Sequence, residues 1–409
     1  MRDLGEGTIR RIDWQELTPV VLLLRIFNIA TGIRVLFLSM IGILLTLMIG
    51  YWINSNGLKS HEERNFQKPV YIEPLLDFRN QPQQNEPQEI DSLKQQQQHR
   101  QSISFREHPA EYSWQLVQHS VLVPWDIFST AGIRLFHSVS RHEYSIVLLG
   151  WFFVLLLIWS FFGGMICRTV ALRLTIDQSE SGRELWQFIK QRGTGFLSSV
   201  IIIVLGILFC LIPIKLCGWF FAVPVLNFIL AILFPIVILF GFFVMVLAVS
   251  LLLGWPLLFA AVSVDGSDGF DAVSRMLSYF YQRPLHYLVY WTTSGILGVL
   301  GYVFVSIFVD GIVFLIIQFG GFPIQTAIPA FGYLTLPETS AELSQPGNLI
   351  LAWCGMVQLI KLAYTFAWFW TSNVTIYLLL RRSVDATPFI EVYRSASVKP
   401  RTLPELNNL

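Results

Sequence analysis

Three aspartates at a repeated position are the residues whose spacing first suggests chemistry. Each is the third residue of a five-residue phrase that reads hydroxyl, β-branched, Asp, any residue, hydroxyl, and each phrase follows a long apolar run; they are Asp177, Asp265 and Asp385. Three carboxylates on one face would form a cation or proton site if the repeats closed around an axis. The spacing favours another interpretation, in which each aspartate caps the N-terminus of a short following helix.

Asp310 and Lys361 are the other candidates, because ionisable residues inside a membrane are functional candidates by default. Counting 1.5 Å per residue from Arg283 to Asp310 gives about 40 Å, and from Arg381 back to Lys361 about 30 Å. The hydrocarbon core is roughly 30 Å thick, so both residues fall near its outer boundary. We expect them to form an ion pair there or to snorkel, and we favour a structural anchor over a transport site.

Other chemistry is not indicated. Six of the seven histidines fall between residues 54 and 143, and His137, His142 and Glu143 lack the spacing of a helical metal site. The four cysteines lie in or beside apolar runs, without metal-ligand or CxxC spacing, and are expected to be small buried hydrophobes. We find no nucleotide-binding or hydrolase motif, and we expect no cofactor, no metal and no enzymatic activity.

The composition indicates the fold class of the protein that carries these residues. Hydrophobic residues make up 54% of the chain and charged residues only 13%, against about 25% in soluble domains. The net charge of +1 gives no reason to expect nucleic acid as a partner. The sequence therefore predicts an all-α polytopic bundle in a lipid bilayer, with about six spans over residues 35–53, 144–167, 196–216, 233–260, 285–309 and 350–380.

Basic residues predict the orientation. They cluster in the segment 1–34, after the second span, after the fourth and after the sixth, whereas residues 318–348 contain no Lys or Arg. The positive-inside rule then puts both termini on the cytoplasmic side of the membrane. The N-terminal segment lacks the pattern of a cleaved signal peptide, so we expect the first span to be retained.

Two segments leave the organisation open. Residues 196–264 are almost wholly apolar and hold either three spans, or two spans with a re-entrant excursion over 216–232, where prolines supply helix breaks. The repeated phrase favours two. The loop 54–143 is expected to be external, with a disordered Gln-rich part at 80–101 and an interfacial part at 109–140 rich in Trp and Phe.

Amphipathic elbow helices are predicted on the cytosolic side. Ser181 begins a capping box with Glu184, Asp268 is a candidate N-cap, and Thr387 precedes a proline at the first helical position. Asp13 and Thr18 suggest a fourth elbow before residues 20–33, and the tail 383–409 holds the third. Within the fifth span, Gly295, Gly298 and Gly301 form a stripe of small residues typical of close helix packing.

The chain resembles a family of uncharacterised bacterial six-pass membrane proteins. The resemblance supports the topology and implies no catalytic residues. It rests on Asp13–Trp14, Gly163 to Arg168, Gly266 to Ala272, Tyr281 to Pro284 and Tyr377 to Arg382.

Function is left between three classes. The first is a non-enzymatic organising or scaffold protein, or an accessory subunit, with protein partners or as a homo-oligomer. The second is a small-solute transporter or channel built from repeated helix pairs, with polar groups such as Gln358, Ser372 and Asn373 lining a cavity. A membrane enzyme with a lipid-facing pocket comes third. Substrate, partner identity and stoichiometry do not follow from the sequence.

Overall fold

The structure is a computed structural model that describes residues 19–57, 117, 120–141, 145–223, 226–320 and 345–393. These residues form nine helices and no strand, which confirms the predicted all-α class. In chain order they are α1 (Pro19–Ala30), α2 (Ile33–Gly57), α3 (Leu122–Arg141), α4 (Ser145–Thr175), α5 (Gly182–Phe220), α6 (Leu226–Asp265), α7 (Gly269–Gln282), α8 (Pro284–Gly320) and α9 (Gln345–Asp385).

Five of these helices are long and apolar enough to cross a membrane, namely α2, α4, α5, α6 and α8. They contain the first five predicted spans, so the chain is a membrane protein. The sixth predicted span, 350–380, lies inside α9, which is longer still but more polar. A sixth crossing therefore stays a prediction.

Residues 196–264 belong to two long helices rather than three. Helix α5 continues through Pro213 to Phe220, and α6 begins at Leu226 and contains Pro235 and Pro256. The re-entrant excursion predicted over 216–232 was wrong, because the helices run through all but residues 221–225 of it. The two helices pack on each other as a hairpin, and both contact α7.

Helix α9 combines polar composition with burial. Its residues from Lys361 to Arg381 are all buried. Three of its threonines donate to the carbonyl four residues earlier, as Thr365 does to Lys361 at 3.0 Å, Thr371 to Ala367 and Thr375 to Thr371. Because each of these hydroxyls donates a hydrogen bond within the helix, none of them is left without an acceptor when the helix is buried among apolar residues.

The chain divides into two compact units. The first comprises residues 1–153 and 288–375, and the second comprises 154–287 and 376–409. In the first unit, α8 meets α9 closely at its small residues: a Cβ atom built at Gly298 would collide with the indole of Trp368, and one at Gly301 with the phenol of Tyr364. Trp368 Nε1 also donates to the Ser294 carbonyl at 3.1 Å. The predicted packing role therefore holds for two glycines of the stripe.

Of the predicted external loop 54–143, the structure describes residues 54–57, 117 and 120–141. Within it, Phe128 of α3 is buried and meets the ring of Trp370 at 6.4 Å, while Trp125 meets Trp291 at 6.3 Å. This part of the loop thus packs on protein through its apolar residues. The Gln-rich segment 80–101 and the residues His142 and Glu143 lie outside the described residues.

The predicted elbows had different outcomes. Helix α7 is a separate elbow capped by Asp268, whose carboxylate accepts from Asp271 N at 2.9 Å, and it ends just before Pro284. Ser181 forms the predicted capping box with Glu184, but its helix continues without a break into the third span. The helix predicted after Thr387 was wrong, since residues 386–393 contain only a turn at 389–390. Asp13 and Thr18 lie outside the described residues.

The glycine stripe yields a matched test of the α8–α9 contact. Gly301→Ala places a methyl group against Tyr364 and Phe27, whereas nothing lies within 4 Å of a Cβ at Gly295. We expect the first change to cost about 1–3 kcal/mol of unfolding free energy, the typical penalty for overpacking. Gly295→Ala should be neutral or slightly stabilising, because alanine is the better helix former. Thermal unfolding of the two purified variants in detergent measures this, and equal melting temperatures would contradict the packing described.

Candidate functional site

A polar cluster lies around Asp265, the last residue of α6. Its carboxylate accepts hydrogen bonds from the Arg381 guanidinium and the Tyr377 hydroxyl, and Arg275 Nη1 lies 3.2 Å from Oδ2. Next to it, the Tyr279 hydroxyl donates to Asp385, the last residue of α9. The rings of Tyr279 and Tyr377 are 5.4 Å apart and join the two carboxylates. We call these six residues the Asp265 cluster.

Charge compensation explains how the cluster tolerates its burial. Asp265 is 11% exposed and Arg381 is buried, so each would be costly without an opposite charge. Burial lowers the pKa of the Arg275 guanidinium, but Asp265, Tyr377 and Asp271 together outweigh burial, and the pKa lies above its ordinary value. Burial also raises the pKa of the Tyr279 phenol, and the hydrogen bond to Asp385 raises it further. Tyr279 therefore stays a protonated donor well above neutral pH.

A second buried arginine, Arg168 of α4, binds three partners at once. Its Nε and Nη2 donate to Glu180 Oε1 at 3.2 and 2.7 Å, and its Nη1 donates to the carbonyls of Ser263 and Tyr393 at 3.2 and 2.8 Å. The guanidinium also lies 4.5 Å from the ring centroid of Phe188. Because Ser263 is in the last turn of α6, Arg168 satisfies a carbonyl that the helix leaves unpaired.

Residues 386–393 form a strap held by both arginines. Arg381 Nη2 donates to the carbonyls of Pro388 and Glu391 at 3.2 and 2.6 Å, while Arg168 holds the carbonyl of Tyr393. Tyr393 N donates to the Val264 carbonyl at 2.8 Å. The Tyr393 ring lies against Gly266, where a Cβ atom would come within 2.4 Å of Tyr393 Cγ, and the φ of Gly266 is 65°. Both the close approach and the positive φ favour glycine at this position. The strap is thus fastened to the C-terminal ends of α6 and α9.

The repeated phrase marks helix C-termini, which corrects the predicted role of its aspartates. Asp265 and Asp385 are the last residues of α6 and α9, and Asp177 lies in the turn after α4. One residue of each phrase has a positive φ, at Asp177, Gly266 and Ala386, as at helix ends that close with a left-handed residue. The N-caps are instead Ser181 and Asp268.

The structure brings together two of the three aspartates in the Asp265 cluster. Each is neutralised or hydrogen-bonded by a side chain of the chain itself, as described above. Among the described residues, no group of three His, Cys, Asp or Glu side chains is placed to hold a metal ion. The Asp265 cluster can hold the ends of α6 and α9 in place. Its six residues do not form a pair of nucleophile and general base.

In the first unit, Asp310 and Lys361 form an ion pair. Lys361 Nζ lies 2.8 Å from Asp310 Oδ1, and Gln358 Nε2 donates to the same oxygen at 2.9 Å. Lys361 is fully buried, so its ammonium does not snorkel to the molecular surface. Asp310 Oδ2 and Gln358 Oε1 are also buried, and neither has a hydrogen-bond partner within the described part of the chain.

Sequence reasoning missed the residues that bind the aspartates. The sequence analysis used Arg168, Arg275 and Arg381 as positive charge on one side of the membrane, and it gave no role to Tyr279 or Tyr377. A signal was present: the motifs that carry the family resemblance contain Arg168, Tyr377 and Arg381. Tyr393 carried no pattern that would have singled it out.

Comparison with known proteins finds no relative whose site could be compared with the Asp265 cluster. No protein-family model matches the chain, and searches of curated proteins and of solved structures find no match. The resemblance inferred from short motifs therefore stays a prediction.

The Asp265 cluster makes a test by paired substitutions possible. Asp265→Asn leaves the buried Arg381 without its counter-charge, and breaking one partner of a buried pair costs about 3–5 kcal/mol. Asp271→Asn breaks the pair with Arg275, in which the side chains are 47% and 36% exposed, and should cost at most about 1 kcal/mol. Unfolding in detergent by heat or denaturant compares the two. Similar losses would show that the cluster is not what stabilises this end of α6.

Proposed function

We propose that this chain is a non-enzymatic multi-pass protein of the bacterial cytoplasmic membrane, with both termini in the cytoplasm, that organises a membrane complex as an accessory subunit. The carrying observation is the α5–α6 hairpin. Within the described part of the chain its distal half is mostly apolar, and no residue from 226 to 249 is fully buried. Its large exposed side chains include Leu205, Phe209, Trp219, Phe228, Phe234, Phe242 and Phe243.

The base of the hairpin, in contrast, is fixed. A Cβ at Gly254 would lie 2.7 Å from Met276 Sδ of α7, and the Tyr287 hydroxyl donates to the Leu253 carbonyl at 2.6 Å. Tyr281 bonds to the carbonyl of Val246 at 2.8 Å and to the hydroxyl of Ser250 at 2.9 Å. With the Asp265 cluster at the end of α6, these contacts hold the end of the hairpin that lies next to α7.

The hairpin is fixed at its base and exposes large apolar side chains beyond it. Such a hairpin is suited to contact the transmembrane helices of another subunit. In lipid such contacts depend on van der Waals packing rather than on the hydrophobic effect. Aromatic rings offer the most contact area per residue, about 150–250 Å² each. Lipid alone requires only apolarity, so the concentration of Phe and Trp on this arm supports a protein partner.

Site-specific photo-crosslinking in cells tests this proposal. A photoreactive amino acid at Phe209 or Phe242, both on the hairpin, should give one discrete protein adduct that is also recovered by purification in mild detergent. The matched control is Ile307 of α8, which is 61% exposed against 68% for Phe209, and should give no such adduct. Equal labelling at all three positions, or adducts with lipid only, would contradict the proposed subunit contact.

Transport of a small solute is the second candidate, and one observation favours it. Gln358, Ser372 and Asn373 of α9 are buried, and each keeps a polar side-chain atom without a partner among the described residues. Purified protein in liposomes that moved a solute, with the flux abolished by Asp177→Asn, Asp265→Asn or Asp385→Asn, would replace the organising role with this one. Absence of flux in the unmodified chain would leave the organising role in place.

A further inference from the structure

We infer that the exposed face of the first three turns of α5 binds the headgroup of an anionic phospholipid through Arg183, Trp186 and Lys190. This site is separate from the organising role, because it takes a lipid and lies near the start of α5, whereas Trp219 of the exposed hairpin lies near the end of that helix. The residues of the face all belong to the second unit.

The packing of α5 determines which of its side chains point outward. Leu185, Phe188 and Ile189 are buried, whereas Arg183 and Lys190 are exposed. The two basic residues are two turns apart, so they share one face of the helix and lie about 10 Å apart along its axis. Two cations therefore project from the same exposed face.

The charges of this face are not compensated within the protein. Neither Arg183 nor Lys190 forms an ion pair with an acidic side chain in the part of the chain that the structure describes. Glu184 lies between them in the sequence, and its carboxylate accepts from Ser181 N at 2.7 Å in the capping box. By contrast, the buried arginines at positions 168 and 381 are each paired with a carboxylate. Two positive charges are thus left for a partner outside the chain.

Trp186 indicates that this face lies at the level of the lipid headgroups. Its ring is 47% exposed and meets Phe161, within the apolar span of α4, at a centroid distance of 5.3 Å. Lys190 Nζ lies 5.5 Å from the centroid of the same Trp186 ring. Tryptophan is enriched where the hydrocarbon core meets the headgroups, and lysine extends its ammonium toward them. Helix α5, with 39 residues, is about 58 Å long and therefore extends beyond a hydrocarbon core of roughly 30 Å.

The groups on this face match a headgroup of net negative charge. The guanidinium of Arg183 can donate two parallel N–H bonds to phosphate oxygens, and the ammonium of Lys190 adds a point charge. In a zwitterionic lipid the phosphate is neutralised by the lipid's own ammonium group, so two uncompensated cations favour an anionic lipid. A soluble acidic partner would have no use for an aromatic ring beside an apolar span. The combination of two cations with Trp186 therefore favours a lipid.

Lipid binding to the purified chain tests this assignment. Arg183→Gln combined with Lys190→Gln removes two charges from the face, and Lys215→Gln combined with Arg283→Gln removes two charges from exposed positions elsewhere in the same unit. Each protein, in a non-ionic detergent, is titrated with phosphatidylglycerol or with phosphatidylcholine of the same chain length, and bound lipid is measured by native mass spectrometry. We expect the first variant to bind phosphatidylglycerol about ten- to thirtyfold more weakly than the unmodified chain, since each basic residue contributes about fivefold. The second variant should bind it as the unmodified chain does.

Several results would overturn the site. Equal losses in the two double variants would show that binding follows net charge alone, and equal affinity of the unmodified chain for both lipids would show that the headgroup is not recognised. Unchanged binding in the first variant would put the lipid elsewhere. A soluble Glu-rich peptide that bound the unmodified chain in place of phosphatidylglycerol, and was lost in the first variant, would make the face a protein contact. Both variants should melt at the temperature of the unmodified chain, and unfolding of the first would show that Arg183 and Lys190 stabilise the protein rather than bind lipid.

Discussion

The second unit depends on one energetically unfavourable charge, the carboxylate of Asp265 at the C-terminal end of α6. A helix C-terminus already carries a partial negative charge from its unpaired carbonyls, so an aspartate there is disfavoured twice, by the helix dipole and by burial. Arg381 and Arg275 offset both effects. Because the guanidinium of Arg381 also binds the carbonyls of Pro388 and Glu391, compensating Asp265 fixes the course of the chain after α9.

Arg168 extends the same principle to α4. A buried guanidinium has five N–H donors to satisfy, and Arg168 uses its own on Glu180 and on two carbonyls from distant parts of the chain. Each arginine thus ties a helix end to the strap 386–393. Loss of the strap would leave buried N–H donors of Arg168 and Arg381 without their carbonyl acceptors, so the helix ends and the strap stabilise one another.

The sequence predicted what depends on local pattern, and it missed what depends on long-range pairing. The five apolar spans, the capping box at Ser181 and the N-cap at Asp268 follow from residues within a few positions of one another. The repeated phrase was recognised but assigned to the wrong helix end, because an Asp flanked by hydroxyl residues is typical of N-caps. Arg275 and Arg381, which bind Asp265, are 10 and 116 residues away from it in the sequence. No rule based on local spacing predicts these pairings.

The dimensions of α6 relate the hairpin to the bilayer. Residues 226–249, none of them fully buried, extend about 36 Å at 1.5 Å per residue, close to the roughly 30 Å of a hydrocarbon core. Residues 254–264 are all buried in protein and have no need of lipid. One helix therefore changes near Ser250 from an exposed apolar surface to packed protein. The charges of the Asp265 cluster come only after this change, where the protein itself supplies their partners.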